Sequence, residues 1–267
     1  MTARATNPSG RAGGDGWAGW DTYAAFYDWE NAQTVRRRDV AFWQRLAAAA
    51  EGDVLELGCG TGRVSLPVAR NGTTLVGIDR SEPMLARARH RIGRGRLADR
   101  LSLVRGDIRA LPFRARRFSL VMAPYGILQS LTRERDLGAA LESVARVLAK
   151  GGRFGIDLVP DLPVWKEYSA RKTMSGRMGR STTVSLVESV RQDRKKHLTI
   201  FDQRYTTVRN RQRREHHFSL TFRTLSVPQM ARRLERAGFV VDAVLGDYRG
   251  GPWDDRADVW VLIARKR

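Results

Sequence analysis

A glycine-rich turn between two apolar segments constrains this chain more than any other feature. The turn lies in the run from Val54 to Gly62, VLELGCGTG, and a second apolar run, TLVGID, ends at Asp79. Short apolar runs are typical of buried parallel strands, and glycines let the backbone turn sharply and approach a ligand closely. A helix over about 63–70 is predicted after the turn, with its unpaired N–H groups and positive dipole end toward any bound anionic group. The pattern therefore predicts strand, turn, helix and strand.

An acid at the end of the second strand indicates a ribose. Asp79 follows Glu56 by 23 residues, close to the offset of roughly 20 residues at which a strand-end carboxylate reaches a ribose hydroxyl in such units. Nicotinamide and flavin folds use the glycine spacing G-x-G-x-x-G to admit a pyrophosphate. Here the glycines at 58, 60 and 62 have the spacing G-x-G-x-G. The turn therefore differs from that of the dinucleotide folds.

With Glu56 in front, these glycines match the signature E-x-G-x-G-x-G, and the chain resembles the class I S-adenosylmethionine-dependent methyltransferases. Further segments at 106–108, 118–125 and 145–156 are similar to later motifs of the family and occur in its order. The resemblance covers about residues 23–158. It implies an α/β, Rossmann-like class I methyltransferase fold, with a seven-stranded, mostly parallel sheet and a small antiparallel β insertion. The implied activity is methyl transfer from S-adenosylmethionine to an amine or hydroxyl of a small molecule.

Length and composition favour one folded domain. A chain of 267 residues with 42% hydrophobic content can bury one α/β core and still carry an insertion. Residues 1–20 mix glycine with polar residues and are predicted to be a mobile tail, and residues 21–267 are predicted to form the methyltransferase domain. Within that domain, residues 160–225 are predicted to be β-rich, because apolar and polar residues alternate there. The alternating runs are 182–191, 198–208 and 216–223. The resemblance implies that this insertion is an acceptor lid or a dimer surface.

Two segments near the N-terminus are predicted to be helical or to cover the cofactor. Residues Gln33–Ala50 carry a nearly helical apolar stripe, which predicts one helix before the first strand. Residues Tyr23–Asp28 resemble the aromatic segment that closes over the cofactor in many small-molecule members of the family. Packing of Tyr23, Phe26 and Tyr27 against the core at helical spacing is an equal alternative. Toward the C-terminus, a helix over 229–237 and strands over 240–245 and 259–263 are predicted.

Several classes of protein are excluded or disfavoured by composition. The sequence has no apolar region of a secretory signal near its start, and no run approaches the roughly 18 apolar residues of a membrane span. A single cysteine excludes an internal disulfide and a cysteine metal cluster. We therefore expect a soluble, cytoplasmic enzyme without a metal. Cys59, in the glycine turn, is predicted to be a packing residue rather than a nucleophile.

The net charge of +20, from 48 lysines and arginines against 28 acids, is the feature that competes with a small-molecule substrate. Such an excess of positive charge can bind the phosphate backbone of a nucleic acid. The arginines are spread along the chain, and the densest groups, at 191–196 and 209–214, fall at predicted hairpin turns where charge also protects strand edges. Enzymes that methylate base amines have an Asn or Asp, Pro, Pro, aromatic motif after the fourth strand. Met122-Ala-Pro-Tyr125 lacks the polar residue and one proline.

A small-molecule acceptor is therefore favoured over an RNA or DNA substrate, which stays open. A non-catalytic binding module that keeps the cofactor fold is a second alternative. A homodimer is a possible assembly.

The resemblance assigns the cofactor site. In the family, an acid in the position of Asp107 binds the adenine amine, and the apolar residue after it packs on the ring. Asp79 and Asp107 follow predicted neighbouring strands, whose carboxyl ends meet at one rim of the sheet. The predicted cofactor residues are Tyr23, Tyr27, Glu56, Gly58, Cys59, Gly60, Gly62, Asp79, Arg80, Met84, Gly106, Asp107, Ile108 and Ala123. Methyl transfer from a sulfonium needs alignment and desolvation first, and a base only where the acceptor requires one.

The acceptor side is less defined by the sequence. Related enzymes often have histidine where this chain has Ser130, so no general base is identified there. His216 and His217 are adjacent in a predicted strand and point to opposite faces, so that only one can face a cleft, and a surface position is the alternative. The predicted substrate contacts are Tyr125, Gln129 and Tyr248. The candidates for a catalytic role are Tyr248, Gln129 and His217, with a structural role as the alternative for Gln129.

Overall fold

The computed structural model describes residues 19–34, 38–95, 97–158, 167–254, 256–257 and 259–267. The helices are α1 Trp20–Thr34, α2 Val40–Ala48, α3 Ser65–Arg70, α4 Glu82–Gly95, α5 Glu134–Val147 and α6 Val227–Arg236, and a 3-10 helix spans Ile127–Ser130. The strands are β1 Val54–Leu57, β2 Leu75–Asp79, β3 Leu101–Arg105, β4 Phe118–Ala123, β5 Leu148–Leu158, β6 Tyr168–Met178, β7 Thr182–Asp193, β8 Leu198–Arg209, β9 Gln212–Arg223, β10 Phe239–Leu245 and β11 Trp260–Lys266. Of these helices, none is long and apolar enough to cross a bilayer.

Strands and helices alternate through the first half of the chain and form a seven-stranded sheet in the order β3-β2-β1-β4-β5-β11-β10. Strands β1 to β5 are parallel, and β11 runs antiparallel to both β5 and β10. The predicted α/β fold with a mostly parallel sheet is confirmed. The chain order reverses between β1 and β4, and such a reversal opens a crevice at the carboxyl ends of the strands.

Apolar side chains cover both faces of this sheet, as a parallel sheet requires. On one face, Leu141 of α5 and Met230 of α6 pack in a buried cluster with Phe154 of β5. On the other face, Trp43 of α2 and Val68 of α3 pack against β1 and β4 in a second cluster. The carboxyl-end rim of the sheet stays uncovered by these helices, which leaves room there for a ligand.

The insertion after β5 forms a separate antiparallel sheet, the small sheet, in the order β6-β7-β8-β9. The predicted antiparallel insertion is confirmed, but the sequence analysis missed β6. Most residues of β6 are exposed or only partly buried, and its pairing with β7 is irregular at two places, so the strand shows no regular apolar alternation. The basic groups at 191–196 and 209–214 include the β7–β8 and β8–β9 turns, as predicted.

The prediction of one helix over Gln33–Ala50 is wrong. Helix α1 ends at Thr34 and α2 begins at Val40, and residues 35–37 lie outside the described part of the chain. Asp39, just before α2, is fully buried because its carboxylate binds the Arg63 guanidinium through two 2.7 Å hydrogen bonds. The predicted tail, residues 1–20, lies outside the described residues except for its last two, and Trp20 already begins α1.

Two close-packed residues hold the glycine turn against β2. Cys59 is 3% exposed, and its backbone N–H donates to the Ile78 carbonyl at 3.0 Å. A Cβ atom on Gly77 of β2 would lie 2.8 Å from both the Cβ and the Sγ of Cys59, and 3.2 Å from Leu103. Cys59 therefore occupies the space that only a glycine in β2 leaves open.

We expect Gly77→Ala to lower the free energy of unfolding by about 1–3 kcal/mol, because the added methyl overpacks the contact with Cys59. Urea denaturation monitored by circular dichroism measures this change. The control is Gly93→Ala in α4, where a Cβ would meet no atom within 4 Å and the gain in helix propensity predicts equal or higher stability. Equal stability of Gly77→Ala and the wild type would contradict the packing analysis.

Candidate active site

A cavity of about 390 Å³ lies at the carboxyl-end rim of the large sheet. Its walls come from the turns after β1, β2, β3 and β4, from the start of α1 and from the end of β9. The lining residues are Gly19, Trp20, Asp21, Tyr27, Gly58, Gly60, Asp79, Arg80, Ser81, Met84, Arg105, Asp107, Ile108, Pro124, Tyr125, Ile127, Ser130, Leu131 and Phe222. Elements far apart in the sequence therefore meet at the crevice between β1 and β4.

Two glycines of the turn are required for different reasons. Gly58 has φ +61°, and a Cβ there would lie 2.5 Å from the Ile127 side chain. Gly60 has φ +53°, and a Cβ there would have no neighbour closer than 3.9 Å. Gly58 is thus needed for packing within the protein, whereas the backbone of Gly60 borders open space in the cavity.

Asp79 joins this turn to the end of β2. One carboxylate oxygen accepts the Gly60 N–H and the other accepts the Ser81 N–H, each at 2.8 Å. Burial raises the pKa of Asp79, and these backbone N–H groups oppose that shift. A carboxylate has about four lone-pair sites, so two bonds leave acceptor capacity on a side chain that lines the cavity.

The second rim acid, Asp107, is held by arginines. Arg109 donates to it from its backbone N–H at 2.9 Å and from Nη2 at 2.8 Å, and Arg80 lies 3.3 Å away. Burial alone would raise the pKa of Asp107, but the hydrogen bonds from Arg109 bring it below the usual value. Ile108 follows directly and lines the same part of the cavity. An ionised acid and an apolar side chain thus lie side by side.

Tyr125 forms the wall after β4 in a backbone conformation that side chains rarely adopt, with φ +62°. The residue is 43% exposed and lines the cavity. On its other side the Arg63 guanidinium lies 4.9 Å from the ring centroid, which is cation–π contact. The ordinary pKa of a phenol is about 10, and burial of part of the side chain raises the pKa of Tyr125 further. The phenol is therefore neutral at physiological pH.

The turn that carries Tyr125 is fixed from behind by a buried acid. Asp157, near the end of β5, accepts the Gly126 N–H and the Tyr248 hydroxyl, both at 2.8 Å. Burial raises the pKa of Asp157 to about 6. Tyr248, predicted as a substrate contact, is not among the residues that line the cavity, and its hydroxyl donates to Asp157. Its influence on the cavity passes through Asp157 and Gly126.

Two other residues predicted for the acceptor side are not among those that line the cavity. Gln129 is 3% exposed, and its amide donates to the Arg223 carbonyl at 3.1 Å, so it joins the 3-10 helix to the end of β9. His217 lies on the outer face of the small sheet, with 64% of its side chain exposed and Glu215 3.8 Å away. Its neighbour His216 faces α1, with its ring centroid 5.0 Å from that of Phe26. Neither histidine lines the cavity.

The predicted cofactor residues divide into two groups. Those that line the cavity are Tyr27, Gly58, Gly60, Asp79, Arg80, Met84, Asp107 and Ile108. Those that pack beneath or beside it are Tyr23, Glu56, Cys59, Gly62, Gly106 and Ala123. The second group supports the turns, because its members contact other protein atoms: a Cβ on Gly62, for example, would lie 2.9 Å from Leu66.

Several residues that line the cavity were not predicted from the sequence. Trp20 was included in the predicted tail, Asp21 was placed in the domain without a role in the site, and Phe222 was treated only as part of a strand. An aromatic residue directly before a cluster of tyrosines at helical spacing was a usable signal for Trp20. No local signal identifies Phe222, because it reaches the cavity only through the pairing of β9 with β8.

Glu56 lies beneath the turn rather than in the cavity. It is 2% exposed and accepts a hydrogen bond from the Ser65 hydroxyl at the start of α3. Burial raises its pKa from 4.5 to about 8. Between these two values the folded protein holds a proton that the unfolded chain releases, so the stability contributed by this group falls as pH rises.

We expect Glu56→Gln to remove this dependence. Relative to the wild type, the variant should gain stability as pH rises from about 6.5 to 8, by up to about 1.4 kcal/mol per pH unit. Urea unfolding at several pH values measures the free energy of unfolding of both proteins. Asp157, with a pKa of about 6, is already largely ionised in this range and adds little to the pH dependence. Glu82→Gln, at an exposed acid paired with Arg89, is the control. Parallel pH profiles for Glu56→Gln and the wild type would contradict the assignment.

Comparisons with known proteins agree with this geometry. A family model described as a methyltransferase domain matches residues 54–152. A solved structure of the CcbJ methyltransferase from Streptomyces caelestis matches with a TM-score of 0.77 and 20% identity, over 95% of this chain and 99% of that one. The sugar N-methyltransferase KedS8 from a Streptoalloteichus species matches with a TM-score of 0.75 and 17% identity, over 100% and 99% of the two chains. At these identities the structures bear on the fold alone.

The family assignment rests on relatives that are similar in sequence. A cypemycin N-terminal methyltransferase from a Streptomyces species is 26% identical over 214 residues, which is 80% of this chain and 83% of the relative. A demethylmenaquinone methyltransferase from Lactiplantibacillus plantarum is 33% identical over 162 residues, which is 56% of this chain and 67% of the relative. With the glycine turn and both rim acids on one cavity, this chain belongs to the class I S-adenosylmethionine-dependent methyltransferases.

Proposed function

We propose that this methyltransferase transfers the methyl group of S-adenosylmethionine to an amine nitrogen of a small molecule. The observation that carries the proposal is the chemistry of the wall beyond Pro124. The described lining there consists of a neutral phenol, a hydroxyl and apolar side chains: Tyr125, Ile127, Ser130, Leu131 and Phe222. A neutral amine has its own lone pair and needs no strong base before attack, unlike a hydroxyl or a carbon acid.

The residues at the rim fit the donor. The open space beside Gly60 accepts a ligand that approaches the backbone closely. Asp79 keeps acceptor capacity for ribose hydroxyls, and Asp107 with Ile108 offers an acceptor and an apolar surface suited to an adenine. We assign Tyr27, Arg80 and Met84 to the same donor site because they line this part of the cavity.

When bound, S-adenosylmethionine supplies a methyl group already activated by a positive sulfonium. The protein then has to orient the acceptor and exclude water. Tyr125 is suited to both tasks, because its ring closes one wall and its neutral hydroxyl can accept a hydrogen bond from an amine N–H. The buried Arg63 and Asp39 pair behind it hold the ring in place. The small sheet contributes Phe222 to the same wall, which supports a role of the insertion in acceptor binding.

The printed name of one relative supports nitrogen as the target. The cypemycin enzyme, which aligns with 80% of this chain, is named as an N-terminal methyltransferase. The demethylmenaquinone relative has a different kind of substrate in its name and covers less of this chain. For a nucleic acid substrate the main argument is the net charge. Some of the arginines already have partners within the protein, since Arg87 and Arg91 of α4 both pair with Asp28, which makes them less available to a phosphate backbone.

We expect Asp79→Ala to weaken binding of S-adenosylhomocysteine by about 10-fold to 100-fold, because the variant loses hydrogen bonds to a charged group and releases the Gly60 N–H. Isothermal titration calorimetry measures the affinity. Glu82→Ala is the matched control, since this acid lies three residues further along in an exposed pair with Arg89 and should bind normally. Wild-type affinity in Asp79→Ala would refute the donor-site assignment.

The acceptor proposal is tested by methyl transfer from radiolabelled S-adenosylmethionine to matched pairs of compounds. The two compounds of each pair differ only at one position, where one carries an amine and the other a hydroxyl. The pairs are built on a sugar, a peptide N-terminus and an aromatic ring, and total RNA is tested as a further substrate. We expect turnover only with amines. The value of kcat/KM should rise with pH and level off at the pKa of the acceptor amine, because only the neutral amine reacts.

Methylation of a hydroxyl, a ring carbon or RNA in preference to every amine would contradict the acceptor proposal and leave the donor site intact. A kcat/KM profile that follows the same pKa for amines of different basicity would show that a group of the protein titrates, and would contradict the proposal that the acceptor needs no base. Binding of S-adenosylhomocysteine without turnover of any compound would favour the non-catalytic alternative.

A further inference from the structure

Helix α1 is joined on one side to the large-sheet domain at the cavity rim. The Thr61 hydroxyl in the glycine turn donates to Asp28 at 2.6 Å, and the Arg91 guanidinium of α4 pairs with the same carboxylate at 2.7 Å. The first turn of α1 and Tyr27 line the cavity. The position of this helix therefore determines the shape of the donor site.

The other side of α1 is joined to the small sheet through a half-buried acid, Glu30. Its carboxylate accepts hydrogen bonds from the hydroxyls of Tyr205 in β8 and Tyr23 in α1. The Gln203 amide of β8 lies 3.4 Å from its second oxygen. Tyr205 is fully buried, and its ring stacks on Phe26 with centroids 4.4 Å apart. The link thus combines a hydrogen-bonded acid with aromatic packing.

A second acid lies in the same layer but stays within the small sheet. Glu188 of β7 accepts the Gln203 amide at 2.8 Å and the hydroxyl of Tyr168 in β6. Burial raises the pKa of Glu30, and the hydroxyls of Tyr205 and Tyr23 oppose that shift. The two acids therefore make the same kind of bond to a tyrosine, but only the bond to Glu30 crosses to α1.

We propose that Glu30 is a positioning residue for the donor site, and that through Tyr205 the inserted sheet holds α1 over the cavity and so contributes to cofactor affinity. This inference rests on the assignment of the cavity to S-adenosylmethionine. It gives the small sheet a task beyond the acceptor, because an element inserted after β5 supports the wall that Trp20, Asp21 and Tyr27 present to the donor. In this proposal α1 lines the cavity only while it is docked. The apparent dissociation constant for the cofactor is then the intrinsic constant of the docked form divided by the fraction of molecules in which α1 is docked.

The test compares two tyrosines that make equivalent bonds. Tyr205→Phe removes the hydroxyl that crosses to Glu30, and Tyr168→Phe removes the hydroxyl that binds Glu188 inside the small sheet. Glu30→Gln is the second test variant, because it keeps the size of the side chain and removes the charge. For the full-length wild type and each variant, calorimetry measures the affinity for S-adenosylhomocysteine. Thermal unfolding measures stability, and hydrogen exchange followed by mass spectrometry measures the opening of residues 20–34.

We expect Tyr205→Phe and Glu30→Gln to weaken S-adenosylhomocysteine binding by about threefold to tenfold and to speed exchange in α1. Tyr168→Phe should bind like the wild type even if its melting temperature falls. A loss of affinity that follows melting temperature across all three variants, or unchanged affinity in both Tyr205→Phe and Glu30→Gln, would overturn the proposal. If Tyr205→Phe does not fold, the affinity of Glu30→Gln is compared with that of Tyr168→Phe, and this comparison decides the test.

Absence of binding by the wild type itself would instead contradict the donor site on which the inference rests. The two failures are thus distinguishable, since the wild-type titration tests the cavity and the variant series tests the link through Glu30.

Discussion

The contact between the glycine turn and the end of β2 is the constraint on which the site depends. Asp79 binds the Gly60 and Ser81 N–H groups at once, and Cys59 fills the space beside Gly77. Because polar and packing contacts act on the same few atoms, the turn has little freedom to move. A rigid turn presents its backbone to a ligand without an ordering cost at the moment of binding. The rest of the fold holds β1 and β2 side by side so that this contact can form.

The predicted donor residues are mostly local in the sequence, and eight of the fourteen line the cavity. Glu56, the glycines and Asp79 lie within one strand–turn–helix–strand unit, in which spacing along the chain determines position in space. The acceptor half depends on distant pairs. Tyr248 reaches Asp157 across 91 residues and Gln129 reaches the Arg223 carbonyl across 94, so residue type alone suggested contact with a substrate where each side chain binds the protein.

The secondary structure was also predicted correctly where the pattern is local and missed where distant contacts decide it. Strands β1 and β4 are apolar and buried, and the sequence identified them. Strand β6 was missed because it is held by its neighbour β7 rather than by an apolar pattern of its own. The helix predicted over Gln33–Ala50 was wrong, since α1 ends at Thr34 and α2 begins at Val40. Asp39, just before α2, binds Arg63, a tertiary contact that a local pattern does not contain.

Three acids beside the cavity are fully or half buried, and each one secures a wall instead of lining the cavity. Asp39 holds Arg63 behind Tyr125, Asp157 holds the turn at Gly126, and Glu30 holds α1 to the small sheet. A buried carboxylate is costly unless its oxygens are hydrogen-bonded, so the partners of each acid have defined positions. The described lining beyond Pro124 consists of neutral groups. In the function proposed above, such a wall selects the acceptor by shape and by hydrogen bonds to neutral groups, which suits a nucleophile that arrives already unprotonated.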